Sequence, residues 1–139
     1  MKATSAMAVN VGGIRMKNPV MVASGTFGYG PEYADMVDLN QLGGLVVKGI
    51  HIRPWEGNPT PRMVEVPGGL VNAIGLQNPG AEDFIREYMP FLRQFDVAVI
   101  VNIWGRTVEE YVQVAERFNG VRGVSGLEIN ISCPNIKKG

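Results

Sequence analysis

Four short apolar runs, spaced too far apart to pair as simple hairpins, constrain this chain more than any other feature. They occupy residues 20–23 (Val-Met-Val-Ala), 45–47 (Leu-Val-Val), 97–101 (Val-Ala-Val-Ile-Val) and 126–131 (Gly-Leu-Glu-Ile-Asn-Ile). Short apolar runs bounded by turn residues read as buried strands. The segments between them are long enough to cross a sheet and return, and helical patterns recur there. That order argues for an α/β fold of parallel strands joined by right-handed crossovers. Apolar residues make up 45% of the 139 residues and charged residues 19%, enough to build a single core.

The connecting segments give the pattern in detail. Residues 7–11 and 14–16 flank Gly12-Gly13, which predicts a small N-terminal hairpin. Pro31 suits the first turn of a helix through about residue 39. Residues 50–80 form a long excursion holding Pro54, Pro59, Pro61, Pro67 and Pro79, with a strand expected at 63–66. An excursion of that length in a compact domain is functional or disordered, and residues 68–78 are too apolar for a solvated linker. Glu82 and Asp83 place acid in the first turn of the next helix, and Phe84, Ile85, Tyr88, Met89 and Leu92 follow at helical spacing. Pro90 falls inside that pattern and is expected to kink or divide it. Thr107 and Glu110 spell a capping box, with Val108, Tyr111, Val112, Ala115 and Phe118 as the expected inward face of its helix.

Composition excludes several functions. Thirteen basic residues balance thirteen acidic ones, so no basic surplus exists to hold nucleic acid. No apolar run approaches the roughly 18 residues of a membrane span, and the N-terminal residues do not resemble a signal peptide. One cysteine cannot form an internal disulfide, which suits a reducing cytoplasm. One cysteine and His51 make no metal-ligand set, and His51 is expected to be an ordinary loop residue. The spacing of Gly25, Gly28 and Gly30 does not fit a dinucleotide fingerprint.

The residues just beyond each strand are the informative ones. The four runs lead into Ser24-Gly25, Lys48-Gly49, Asn102, and Asn130 with Cys133 and Asn135. In a parallel sheet these ends share one face, where such folds keep their chemistry. Asparagine amides donate and accept, and so can read the edge of a planar heterocycle. Lys48 supplies a positive charge to a carboxylate or an electron-rich ring. Gly25, Gly49 and Gly75 let a flat ligand approach the backbone. Cys133, just before Pro134, is a candidate proton acceptor or donor.

With these residues in view, the chain resembles the catalytic subunit of class 1 dihydroorotate dehydrogenases. The resemblance rests on Asn18-Pro19, residues 23–28 (Ala-Ser-Gly-Thr-Phe-Gly), Val47-Lys48-Gly49, residues 72–80 (Asn-Ala-Ile-Gly-Leu-Gln-Asn-Pro-Gly), Asn102 and residues 130–135 (Asn-Ile-Ser-Cys-Pro-Asn). The run at 72–80 is most similar to the class 1B branch.

The resemblance implies a TIM (β/α)₈ barrel holding FMN at the strand C-termini. It implies that Ser24, Lys48, Gly49, Asn102 and Asn130 lie against the flavin. Lys48, Asn72, Ala73, Ile74, Gly75, Leu76, Asn130 and Asn135 would surround the pyrimidine, and Cys133 would be the base for oxidation of dihydroorotate to orotate. It further implies a homodimer in the cytoplasm, paired with an iron–sulfur subunit carrying FAD and a [2Fe–2S] cluster. A full barrel takes about 250 residues, so residues 1–139 are expected to be the N-terminal part of one FMN-binding domain, inactive alone. Reduction of a uracil-like pyrimidine on the same scaffold, or a role only in folding or assembly, are the competing expectations.

Overall fold

The computed structural model describes residues 6–133. The chain opens with an antiparallel pair, β1 (Val9–Val11) and β2 (Ile14–Met16), joined through Gly12 and Gly13 at φ of 58° and 92°. Two residues at positive φ are what a tight hairpin turn matching strand twist requires. Next come β3 (Met21–Val22), β4 (Gly44–Ile50), the antiparallel pair β5 (Met63–Val66) and β6 (Gly69–Asn72), β7 (Ala98–Ile103) and β8 (Val124–Ile129). The central sheet has the order β3, β4, β7, β8, and all its pairings are parallel. The fold is therefore α/β, with a four-stranded parallel sheet.

Each inner strand is buried on both faces, as expected of a parallel sheet covered on both sides. Leu45, Val47, Val99, Val101 and Ile103 point into a core shared with Phe84, Met89, Leu92, Val114 and Phe118 from the helices. The intervening residues face the other way, because side chains alternate along a strand. On that face lie Val46, Lys48, Ile100, Asn102, Gly126 and Glu128. At the N-terminal end of the strands the first hairpin covers this face. Met16 is buried with its sulfur against Gly44, and Ile14 packs on Gly126 so closely that an added Cβ there would lie 2.6 Å from Ile14 Cδ1.

The helices differ from the sequence pattern in three places. Residues 31–39 do not form one helix; they form two 3₁₀ turns, Pro31–Tyr33 and Leu39–Gln41. Asp38 accounts for the break, since its carboxylate accepts from Asn40 N at 2.9 Å and starts the second turn instead of extending the first. Pro90 does not divide its helix. An α-helical turn α1 (Ala81–Asp83), a π-helical stretch Phe84–Tyr88 and α2 (Met89–Leu92) follow without interruption. The wider π turn lets Pro90 stand at the start of a new α-helical segment, where its missing N–H costs nothing.

The third difference concerns α3 (Val108–Phe118). Thr107 Oγ1 accepts from Glu110 N at 3.3 Å, as a cap should. Glu110 reaches one residue further back than a standard capping box, accepting from Arg106 N at 2.7 Å. The inward face is Tyr111, Val114, Ala115 and Phe118, and Val108 is 74% exposed. Spacing of i, i+3, i+4, i+7 from Tyr111 explains that choice; Val108 and Val112 lie about a quarter-turn away.

The long excursion contains more order than the sequence suggested. The strand at 63–66 is present, and it pairs residue for residue with a second strand, from Met63–Asn72 to Val66–Gly69. His51 is not an ordinary loop residue. It is 4% exposed, its ring lies 4.7 Å from that of Trp104, and its Nε2 is 3.3 Å from Glu110 Oε2. No helix among the described residues is long and apolar enough to cross a membrane.

Candidate active site

The carboxyl ends of β3, β4, β7 and β8 open into one cavity of about 1240 Å³. Ser24 and Gly25 enter from the end of β3, Lys48 and Gly49 from β4, Asn102 from β7, and Glu128, Asn130 and Cys133 from β8 and the segment after it. Thr26, Gly28 and Glu32 line one side. The second hairpin folds over the other, contributing Met63, Leu70 and Asn72, with Ile74 and Leu76 beyond it. Parallel pairing brings these ends to the same level, since Asn102 and Glu128 are Cα partners across β7 and β8.

The polar groups are linked. Ser24 Oγ donates to Glu128 Oε1 at 2.8 Å, and Asn102 Nδ2 donates to the same oxygen at 2.5 Å. Asn130 Nδ2 then donates to Asn102 Oδ1 at 3.4 Å. Gly49 makes room for this arrangement, because a Cβ there would stand 2.8 Å from Asn102 Oδ1. Lys48 N donates to Gly28 O at 2.8 Å, which fixes the β4 end against the loop after β3. Gly28 sits at φ 60°, a left-handed conformation that disfavours any side chain, and the Glu32 carboxylate end lies 2.7 Å from where a Cβ would be. Burial holds the Lys48 amine below its ordinary pKa, and the Arg62 charge adds to that effect while Glu32 opposes it. Cys133 is a half-buried free thiol.

Of the residues singled out in the sequence, Ser24, Lys48, Gly49, Asn72, Ile74, Leu76, Asn102, Asn130 and Cys133 all line this cavity. Ala73 and Gly75 do not. Ala73 N and O are taken by Arg62 O and the Asn58 side chain, and Gly75 O accepts from Trp55 Nε1 at 3.0 Å. Asn135 lies outside the described residues. Sequence reasoning missed Glu128 and Glu32. Glu128 had a signal: it is two residues before Asn130, hence on the same strand face, and it is the only charge in its apolar run. Glu32 had none.

Leu76 holds a left-handed φ of 56°, and Asn78 supports it. Asn78 Oδ1 accepts from His51 N at 3.1 Å and Gly80 N at 3.0 Å, while its Nδ2 donates to Leu76 O at 2.8 Å. The segment carrying Ile74 and Leu76 is thereby stapled to the end of β4. Among the described residues no group of three or more His, Cys, Asp or Glu side chains could hold a metal ion.

The family model described as dihydroorotate dehydrogenase matches residues 6–139. The chain belongs to the dihydroorotate dehydrogenase family. It is 58% identical over 133 residues to a protein of Thermoanaerobacter pseudethanolicus and 57% identical over 133 residues to one of Geotalea uraniireducens. Both are named dihydroorotate dehydrogenase B (NAD(+)), catalytic subunit, the class 1B type. Each alignment covers 96% of this chain and 44% of the relative, so the chain spans less than half the length of the curated relatives it matches. Among solved structures, a dihydroorotate dehydrogenase of Eimeria tenella crystallised with ferulenol superposes with a TM-score of 0.70 at 24% identity. That match covers 93% of this chain and 37% of the other, and it speaks to the fold.

Proposed function

We propose that residues 1–139 form the N-terminal part of a single FMN-binding (β/α)₈ barrel that oxidises dihydroorotate to orotate in de novo pyrimidine biosynthesis. One observation carries the reading: a thiol, a lysine and three asparagine amides from different strand ends line the same cavity. The barrel reading is supported by the curl of the sheet, which brings Ser24 at one edge within hydrogen-bonding reach of Glu128 at the other. The first hairpin then caps the bottom of that barrel.

The residues fit a flavin. The cavity exceeds the roughly 300–1,000 Å³ of common small-molecule sites, leaving room for a planar cofactor and a pyrimidine together. A Cβ on Gly25 would meet no atom within 4 Å, so the backbone there is open to a flat ring. Ser24, Lys48, Gly49, Asn102 and Asn130 would hold the ring. When bound, FMN supplies the acceptor for the hydride that leaves C6 of dihydroorotate.

The remaining chemistry falls to this chain. Cys133 takes the proton from C5 as its thiolate, so the C5–H and C6–H bonds are replaced by one C5=C6 double bond. Lys48 meets the substrate carboxylate, where a charge-assisted bond fixes orientation. Asn72 and Asn130 read the amide edges of the pyrimidine, and Asn135 is assigned to the same task. Ile74 and Leu76 wall the site against water.

The names of the class 1B relatives, catalytic subunits linked to NAD(+), support a separate electron-transfer subunit with NAD as final acceptor; FAD and a [2Fe–2S] cluster are assigned to that subunit. A homodimer of the catalytic subunit in the cytoplasm completes the assignment. Ligand competition in the holoenzyme tests the substrate class. Orotate is expected to bind roughly 10–100-fold more tightly than uracil, the value of one charge-assisted contact. Equal affinities would favour a uracil-like substrate instead.

A further inference from the structure

Glu128 sits at the centre of the residues assigned to the flavin, and nothing in the proposed chemistry uses it. Its Oε1 receives both the Ser24 hydroxyl and the Asn102 amide, and Asn130 joins through Asn102. No cation pairs with it among the described residues; the charges that act on Lys48 are Arg62 and Glu32. Its Oε2 has no hydrogen-bond partner among the described residues, although Glu128 lines the cavity. A carboxylate placed only to brace the sheet would be better replaced by an amide, which carries no charge to desolvate.

An ionised carboxylate differs from an amide in one useful way: it only accepts. Both neighbours must therefore point their donors at it. The Ser24 proton is committed to Glu128, so Ser24 offers lone pairs to whatever lies above. The Asn102 amide is locked with Nδ2 toward β8 and Oδ1 over Gly49. The floor of the cavity thus presents acceptors in fixed positions and a negative charge beside them.

We propose that Glu128 is a positioning residue for the flavin, setting Ser24 and Asn102 as acceptors toward the ring and holding a negative charge near it. The proposal rests on the flavin reading above. A ring that gains electrons beside that charge is disfavoured relative to the same ring without it. Removing the charge should therefore make the bound flavin easier to reduce.

The test uses the full-length holoenzyme, measuring FMN dissociation by ultrafiltration and the midpoint potential of bound flavin by spectroelectrochemistry. Glu128→Gln keeps the shape, and should shift the potential to a more positive value while weakening FMN binding several-fold. Glu128→Ala removes the acceptor, and should weaken FMN binding by roughly tenfold or more. If both quantities stay at wild-type values and only the melting temperature moves, Glu128 is a brace and the proposal fails. Should Glu128→Ala not fold, the potential of Glu128→Gln decides alone. A wild-type holoenzyme without FMN would overturn the flavin reading itself; a wild type with FMN and indistinguishable variants would overturn only the role of Glu128.

Discussion

Ser24 and Glu128 are joined by a 2.8 Å hydrogen bond although they are 104 residues apart and stand at opposite edges of the four-stranded sheet. In a flat sheet those edges would be about 14 Å apart, three spacings of roughly 4.8 Å. The contact therefore requires the sheet to curl, with the polar side chains of the strand ends on its concave side. Curvature and cavity are one feature seen at two scales.

A double-mutant cycle measures this relationship. Ser24→Ala and Glu128→Ala, each of which removes one side of the contact, should show a coupling energy of about 1 kcal/mol in equilibrium unfolding, in the range of a single hydrogen bond. Additive effects within about 0.3 kcal/mol would mean that the edges do not meet in solution.

Lys48 gives a pH dependence with a definite sign. Its folded-state pKa lies below the ordinary value of 10.5, chiefly through burial and secondly through Arg62. The amine is thus fully charged only below that lowered value, and loses its charge as pH rises through it. Orotate affinity should fall with rising pH before 10.5 is reached, and the fall should vanish in Lys48→Met. The stability contribution runs the other way. The unfolded chain binds the proton more tightly, so between the two pKa values the penalty on the folded state is relieved as pH rises. An orotate affinity flat up to pH 10.5 would contradict the assignment.

Asn78 is 5% exposed and serves two backbone N–H groups and one carbonyl. Asn78→Ala leaves them buried without that partner and should cost about 2–4 kcal/mol. In the holoenzyme, the Michaelis constant for dihydroorotate should rise more than the turnover number falls, because Ile74 and Leu76 lose their support. Asn78→Asp keeps the acceptor oxygens and should be milder on stability.

Thr107 and Val108 separate capping from burial. Thr107→Ala should destabilise by about 1 kcal/mol through loss of the cap. Val108→Ala should fall within about 0.5 kcal/mol of wild type, as exposed positions do. Urea unfolding of the two variants side by side checks both, and a larger effect at Val108 would restore the helix face that the sequence alone suggests.

Much of the site was legible in the sequence because strand ends can be read locally. Val99 to Asn102 and Leu127 to Asn130 each give an apolar run followed by an amide, and parallel pairing aligns such ends whatever the helices do. Which residues of the segment after the second hairpin face the cavity was less legible. Residues 72–76 read as a continuous wall, yet only Asn72, Ile74 and Leu76 face the cavity, because Ala73 and Gly75 are held from behind by Asn58, Arg62 and Trp55. Glu128 shares a strand face with Asn130, a local signal, but its contact with Ser24 needed the curl of the sheet, a long-range property. The missing helix at 31–39 turned on one carboxylate, Asp38, taking Asn40 N. The intact helix through Pro90 turned on a π stretch that no periodicity announces.

Anaerobic stopped-flow bleaching of the flavin by dihydroorotate, in wild type and Cys133→Ala holoenzyme near neutral pH, probes both the substrate and the base in one reaction. Dihydroorotate should bleach the wild-type flavin, and the Cys133→Ala flavin should bleach roughly 10²–10⁴-fold more slowly, the usual contribution of a positioned base. Bleaching at the same rate in both proteins would contradict Cys133 as the base, and no bleaching in wild type would contradict the dihydroorotate reading as a whole.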